Sequence, residues 1–140
     1  MEHSCDRVRS DGELAEIVTL VDLQNLKLRE ARPGVKGATL FDESTPTRFI
    51  FSGVFSLEAG GKLDMHHHDV EEMQHVIQGY GILQDSENKE HQLQPGTTFY
   101  CPPGPKGAHG IRNASDLPFV CLYVYYSPGG KRVSSTRSTQ

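Results

Sequence analysis

From residue 48 onward, hydrophobic and polar positions alternate in short runs separated by Gly and Pro. Phe49, Phe51, Phe55 and Leu57 share one parity, the period of a strand that buries one face. Ala59-Gly60-Gly61 is a turn, after which Leu63 and Met65 alternate with Asp64, His66 and His68. Residues 73–78 predict a further strand closed by Gly79-Tyr80-Gly81, and residues 91–94 a short one ending at Pro95-Gly96. Residues 97–101 predict another, stopped by Pro102-Pro103-Gly104-Pro105, which cannot sustain a ladder. Residues 119–126 are rich in aromatic and β-branched side chains and form the longest predicted strand. Upstream the pattern is mixed. Leu14, Ile17, Val18 and Val21 fit a helix in part and a strand in part, and Ala31-Arg32-Pro33-Gly34 is a break.

Many short strands with Gly/Pro turns predict an all-β sandwich or barrel, and no alternation with helices supports a parallel α/β sheet. The 140 residues suit one domain. The expected organisation is a flexible N-terminus over 1–12, a single domain over 13–128 and a disordered Ser/Thr-rich tail over 129–140.

The net charge of −4 and the scattered basic residues argue against nucleic acid as a partner. No apolar run is long enough to span a bilayer, and the polar start Met1-Glu2-His3-Ser4-Cys5-Asp6 is unlike a secretory signal. Cys5, Cys101 and Cys121 form no CxxC pair, so they read as buried apolar residues or free thiols. A cytoplasmic location is the simplest expectation.

The stretch that carries chemistry is residues 60–72. On a strand, residues two apart point to the same side, so His66 and His68 project together and His67 faces away. Glu72 follows a short bend, and His109 stands far along the chain in Gly107-Ala108-His109-Gly110-Ile111. Imidazoles and a carboxylate that converge make a site for a divalent metal. Gln74 shares the parity of Glu72, and Tyr123 shares that of Tyr125; each is either a catalytic group near the metal or a hydrogen-bonded member of the interior. Asp64 reads as a surface carboxylate near the mouth, and His75 points outward.

These residues resemble a known family. Gly60, His66, His68, Glu72 and Gly79 match the first cupin motif, G-x5-H-x-H-x3-E-x6-G. Gly96, Pro102, Gly104, His109 and Asn113 match the second, G-x5-P-x-G-x2-H-x3-N, with one departure. Pro105-Lys106-Gly107-Ala108 stand between Gly104 and His109, where the family pattern has two residues. The resemblance implies a jelly-roll (double-stranded β-helix) barrel holding one divalent metal on His66, His68, Glu72 and His109. Fe(II) or Zn is expected first, with Mn, Ni or Co as alternatives. It also implies a homodimer joined by exchanged edge strands, consistent with a 119–126 strand that is apolar on both faces.

The expected function is a metal-dependent enzyme acting on a small substrate that bears a carboxylate, enol or hydroxyketone, with Glu72, Gln74 and Tyr123 as catalytic candidates. Both oxygen-dependent (dioxygenase-like) and redox-neutral (isomerase, lyase or cyclase) chemistry fit the residues. The alternative is a non-catalytic module that senses a sugar or small metabolite. Such sensors are usually joined to a DNA-binding helix-turn-helix, a pattern these residues lack, which favours the enzyme.

Overall fold

In a computed structural model, residues 17–137 are described. They form eleven strands: β1 (Arg29–Arg32), β2 (Val35–Phe41), β3 (Ile50–Leu57), β4 (Lys62–His67), β5 (Glu72–Gln78), β6 (Gly81–Gln84), β7 (Glu90–Leu93), β8 (Thr98–Cys101), β9 (His109–Asn113), β10 (Phe119–Tyr126) and β11 (Thr136–Arg137). Two antiparallel sheets enclose the interior, one ordered β1-β2-β3-β10-β5-β8 and the other β11-β4-β9-β6-β7. The expected all-β architecture is therefore present. Among the described residues no helix is long and apolar enough to cross a membrane.

β10 is the spine of the larger sheet, paired with β3 on one side and β5 on the other. Its inward residues change character along its length. Phe119 and Cys121 join Val35, Phe55, Leu57, Val76, Leu83, Leu93 and Ile111 in the apolar core. Tyr123 and Tyr125, further on, line a cavity together with His66, His68 and Glu72. One end of the barrel is thus filled with hydrocarbon, and the other is left for polar chemistry.

Three sequence expectations need correction or limits. β1 and β2 lie upstream of residue 48, where no strand is predicted, and the Pro33-Gly34 break is the turn of their hairpin. Of the expected disordered tail 129–140, residues 129–137 are described and contain regular structure. Pro128–Gly130 form a 3-10 turn, and β11 pairs with β4 through Thr136↔His67 and Arg137↔His66. Main-chain carbonyls hold the start of this strap: that of Gly130 accepts from Glu43 N–H and that of Lys131 from the Ser127 hydroxyl. Upstream, the mixed pattern resolves only to a 3-10 turn at Leu23–Asn25, capped by Asp22, with Ile17, Val18 and Leu20 exposed. Leu14 and the expected flexible segment 1–12 lie outside the described residues.

Candidate metal centre

β4, β5 and β9 deliver the histidines and the carboxylate. His66 pairs with His109 across the β4–β9 ladder, which sets their rings 4.5 Å apart between centroids, and the His66 and His68 rings are 5.0 Å apart. The ring nitrogens of His66, His68 and His109 lie within 4.8 Å of one another, a group able to hold a metal ion. Glu72 reaches the same place: Oε1 is 3.3 Å from His109 Nε2 and 3.8 Å from His68 Nε2. The structure thus brings together all four predicted ligands, while His75 points outward to the Thr98 hydroxyl.

Each imidazole is oriented by the backbone. His66 Nδ1 lies 2.7 Å from the Asp64 carbonyl, His68 Nδ1 3.0 Å from that of Ser134, and His109 Nδ1 2.8 Å from that of Gly107. A carbonyl can only accept, so each Nδ1 carries a proton and each Nε2 is turned toward the others, the usual arrangement behind metal-bound histidines; a bound ion would take the place of the Tyr125 hydroxyl on His68 Nε2 and of the second proton on His109. The longer loop before His109 explains itself here. Its extra residues coil into the 3-10 turn Pro105–Gly107, which restores His109 to the barrel wall and supplies the Gly107 carbonyl.

Glu72 and His109 are each only 2% exposed, yet apart from their own 3.3 Å approach Glu72 Oε1 and His109 Nε2 have no hydrogen-bond partner among the described residues. Buried polar atoms are rarely left unpaired, because the desolvation loss is not recovered. A divalent cation among the three Nε2 atoms and Oε1 would satisfy these atoms, so the donor set fits such an ion.

Charge is distributed accordingly. Burial, reinforced by the neighbouring charge of His109, pushes His66 down to about 4. Burial also disfavours charge on His109, but its contacts with Cys101 and Glu72 outweigh this and hold it at about 10. Burial would raise the Glu72 carboxyl, yet contact with His109 and the charge of His68 keep it below the usual carboxylate range.

The other predicted residues fall into distinct places. Gln74 is 2% exposed and engaged at both ends: its Nε2 donates to Glu72 Oε2 at 3.0 Å, and its Oε1 accepts from Cys121 Sγ at 3.3 Å. Both ends of this amide are therefore engaged, and it holds Glu72. Tyr123 lines the cavity, but Tyr125 is the phenol that reaches the ligands, with its hydroxyl 3.0 Å from His68 Nε2. Parity alone cannot choose between them. Register does, because Tyr125 lies opposite Glu72 and Tyr123 opposite Gln74. Burial, then the charge of Glu72, raises the Tyr125 phenol well above its ordinary value, so it stays protonated. Asp64 lies at the mouth as expected, 3.5 Å from Arg137 and 3.6 Å from Lys62.

The cavity in front of the ligands has a volume of about 420 Å³. Its walls include Phe51, Phe55 and both tyrosines, and its rim carries Arg32 from β1 and Arg132 from the strap. The Arg132 guanidinium is 6.0 Å from the Phe51 ring centroid. Neither guanidinium is paired with a carboxylate among the described residues. Sequence reasoning missed the strap because its Ser/Thr-rich composition reads as a tail; the one signal was the Lys131-Arg132 pair.

Comparison with known proteins follows the same lines. An uncharacterized protein of Methanocaldococcus jannaschii, MJ1618, is 31% identical over 70 residues, which span 49% of this chain and 54% of the relative, so about half of each is aligned. Among solved structures, the polyketide cyclase RemF from Streptomyces resistomycificus superposes with a TM-score of 0.74 at 18% identity, covering 89% of this chain and 87% of RemF. KdgF from Halomonas sp. gives 0.67 at 16%, covering 83% and 96%. The oxalate decarboxylase of Lactobacillus farciminis gives 0.64 at 22%, covering 82% of this chain and 34% of the enzyme. At these identities the structures speak for the fold. The model of the cupin domain matches residues 53–125, which carry both histidine motifs and the strands that present them, and on that match the chain belongs to the cupin family.

Proposed function

We propose that this protein is a metal-dependent enzyme that catalyses redox-neutral proton transfer on a small organic anion. The observation that carries the reading is the placement of Tyr125. A buried, protonated phenol stands beside His68 and Glu72 at the inner end of a cavity whose rim bears two guanidiniums that pair with no carboxylate among the described residues. When bound, a divalent ion supplies a Lewis acid that stabilises charge on a carboxylate, enol or hydroxyketone oxygen. The protein's own residues do the rest. Arg32 and Arg132 favour a negatively charged substrate by charge-assisted hydrogen bonds. Phe51, Phe55 and Tyr123 give a flat apolar wall. Tyr125 O–H can donate a proton to a substrate oxygen, and Gln74 fixes the Glu72 carboxylate so that Oε1 faces the ligands. Cyclase, decarboxylase and lyase structures among the fold relatives are in keeping with such chemistry.

The test is metal analysis of untagged protein, followed by turnover of hydroxy-, keto- and aromatic carboxylates in air and under nitrogen. About one metal per chain and equal rates in both atmospheres are expected. Rates that require oxygen would overturn the redox-neutral assignment. Tyr125→Phe and Glu72→Gln should retain substantial metal while losing most turnover. Tight binding of a sugar or metabolite without turnover, unchanged in metal-replete Glu72→Gln, would instead identify a sensor.

We also propose that two chains pair through the outer face of the larger sheet. Ile50, Met73, Tyr100 and Tyr126 project from neighbouring strands there and are each at least 45% exposed, a contiguous apolar surface of the kind that marks an interface.

A further inference from the structure

Cys101 lies directly across the β5–β8 ladder from Glu72, so the two side chains rise from the same face of the sheet. Its sulfur, a His109 ring nitrogen and a Glu72 carboxylate oxygen lie within 4.8 Å of one another, and all three residues are buried. This group shares His109 with the three-histidine set. It also contains two of the three buried side-chain atoms that lack a hydrogen-bond partner among the described residues, His109 Nε2 and Glu72 Oε1. Donors about 2.0–2.3 Å from a common ion are themselves roughly 3 to 4.5 Å apart, so the spacing of the sulfur from its Glu72 and His109 neighbours is close to that of donors sharing one ion.

The other described cysteine shows what a structural thiol looks like in this interior. Cys121 Sγ donates to Gln74 Oε1, and burial pushes its thiol up to about 12. Cys101 faces the ligands instead. The two cavities divide the donors between them. His66, His68 and Glu72 line the first, whereas Cys101 and His109 line a second of about 450 Å³ bounded by β7, β8 and the Pro105–Gly107 turn.

We propose that Cys101 is a further donor to the ion held by His66, His68, Glu72 and His109, binding as a thiolate on the side away from the substrate cavity. This rests on the reading of the site as a metal centre. On binding, the S–H proton passes to solvent and a sulfur lone pair forms the new bond; no electron is transferred. The thiolate has two consequences. It biases the site toward Zn, Co(II) and Fe(II) over Mg and Mn, which prefer oxygen donors. It also adds a second negative ligand to Glu72, so the centre attracts anions less than a site of three imidazoles and one carboxylate, and the rim guanidiniums carry more of the anion selectivity.

The test is cobalt titration of the full-length metal-free protein, followed by absorption spectroscopy. One Co(II) per chain should produce visible ligand-field bands together with an intense near-ultraviolet thiolate-to-cobalt band. Cys101→Ser should keep the visible bands and lose the near-ultraviolet one, while Cys5→Ser and Cys121→Ser keep both. Zn affinity should fall at least about tenfold in Cys101→Ser, with Mn affinity changed by less. In the wild type, Zn should shield Cys101 from iodoacetamide, read by peptide mass mapping, with no need for any variant to fold. Visible bands without the near-ultraviolet band in the wild type would overturn the proposal and leave the metal centre standing. Survival of that band in Cys101→Ser would do the same. Absence of all cobalt bands would overturn the metal centre itself.

Discussion

Acidifying the metal-free protein should weaken its folding through His66, and the size of the effect follows from the site. His66 titrates at about 4 in the folded chain against 6.5 when unperturbed. A folded value below the unfolded one means that the neutral ring is favoured by the fold. The stabilisation is present above the unfolded value and is lost as pH falls toward the folded one. Between pH 7 and pH 5 the linkage relation assigns a loss of about 2 kcal/mol to this one ring. His109 acts with the opposite sign. Its folded value of about 10 lies above the unfolded one, so its stabilisation is lost as pH rises through about 10 and still grows on acidification. Over the same window it returns about 1 kcal/mol. The two together leave a net loss of roughly 1 kcal/mol, so His66 must be isolated by substitution.

The assay is urea denaturation of chelator-treated wild type and His66→Gln at both pH values. With a denaturant slope of about 1–3 kcal/mol per molar, the His66 share corresponds to a midpoint shift of roughly 1 M. The wild type should lose about 2 kcal/mol more than His66→Gln on acidification. Equal pH dependence in the two proteins would refute the assignment of burial and His109 charge as the cause. Metal-loaded wild type should follow a different curve, because the ion occupies the nitrogen that protons would otherwise take.

Metal affinity should fall at least about tenfold per pH unit between pH 8 and pH 6, since a proton must leave His109 before the ion can bind; competition titration with a chromophoric chelator reads this directly. Asn113→Ala should cost roughly 2–4 kcal/mol in denaturant unfolding, because its Nδ2 serves the carbonyls of both Leu57 and Leu117 and both would lose that partner. Truncation after Gly130 removes the Ser134 carbonyl from His68, and isothermal titration should show metal affinity reduced about 10–100-fold with the far-ultraviolet spectrum of the barrel retained. Sedimentation at micromolar concentration should show a dimer that Met73→Glu together with Tyr126→Glu converts to a monomer; a monomeric wild type would remove the proposed interface.

What could be read from the sequence was governed by the period of two. His66 and His68, or Phe51, Phe55 and Leu57, declare a common face by spacing alone, and the sheet then has no freedom to separate them. β1 and β2 gave no such signal. Arg29–Arg32 is exposed throughout, and Val35–Phe41 relies on Gly37, Ala38 and Thr39, small residues whose role is to lie flat against β3. The strap escaped for a different reason. It is held by its main chain, and backbone hydrogen bonds are indifferent to the Ser and Thr content that composition registers as disorder. Choosing Tyr125 over Tyr123 needed the register of β10 against β5, a long-range quantity that no local pattern carries.

That register connects the motif residues far from the ligands to the site. Gly79 adopts φ +85°, and a Cβ there would come within 2.5 Å of the Pro118 carbonyl oxygen and 2.9 Å of Phe119 Cα, so the chain after β5 can pass the start of β10 only without a side chain. This close passage anchors one end of the β5–β10 pairing. From that end the ladder counts past Val120↔Gln78 and a one-residue irregularity to Tyr123↔Gln74 and Tyr125↔Glu72. Asn113 ties the other sheet to the same place, bonding the Leu57 carbonyl at the end of β3 and the Leu117 carbonyl just before β10. Moving β5 by one residue would turn Glu72 outward and bring Met73 in, and moving β10 would do the same to Tyr125 and Val124. The carboxylate could not then meet the three imidazoles, and His109 would lose its buried negative partner. The apolar end of the barrel thus does more than stabilise the fold. By fixing where the strands begin, it decides which side chains meet at the other end.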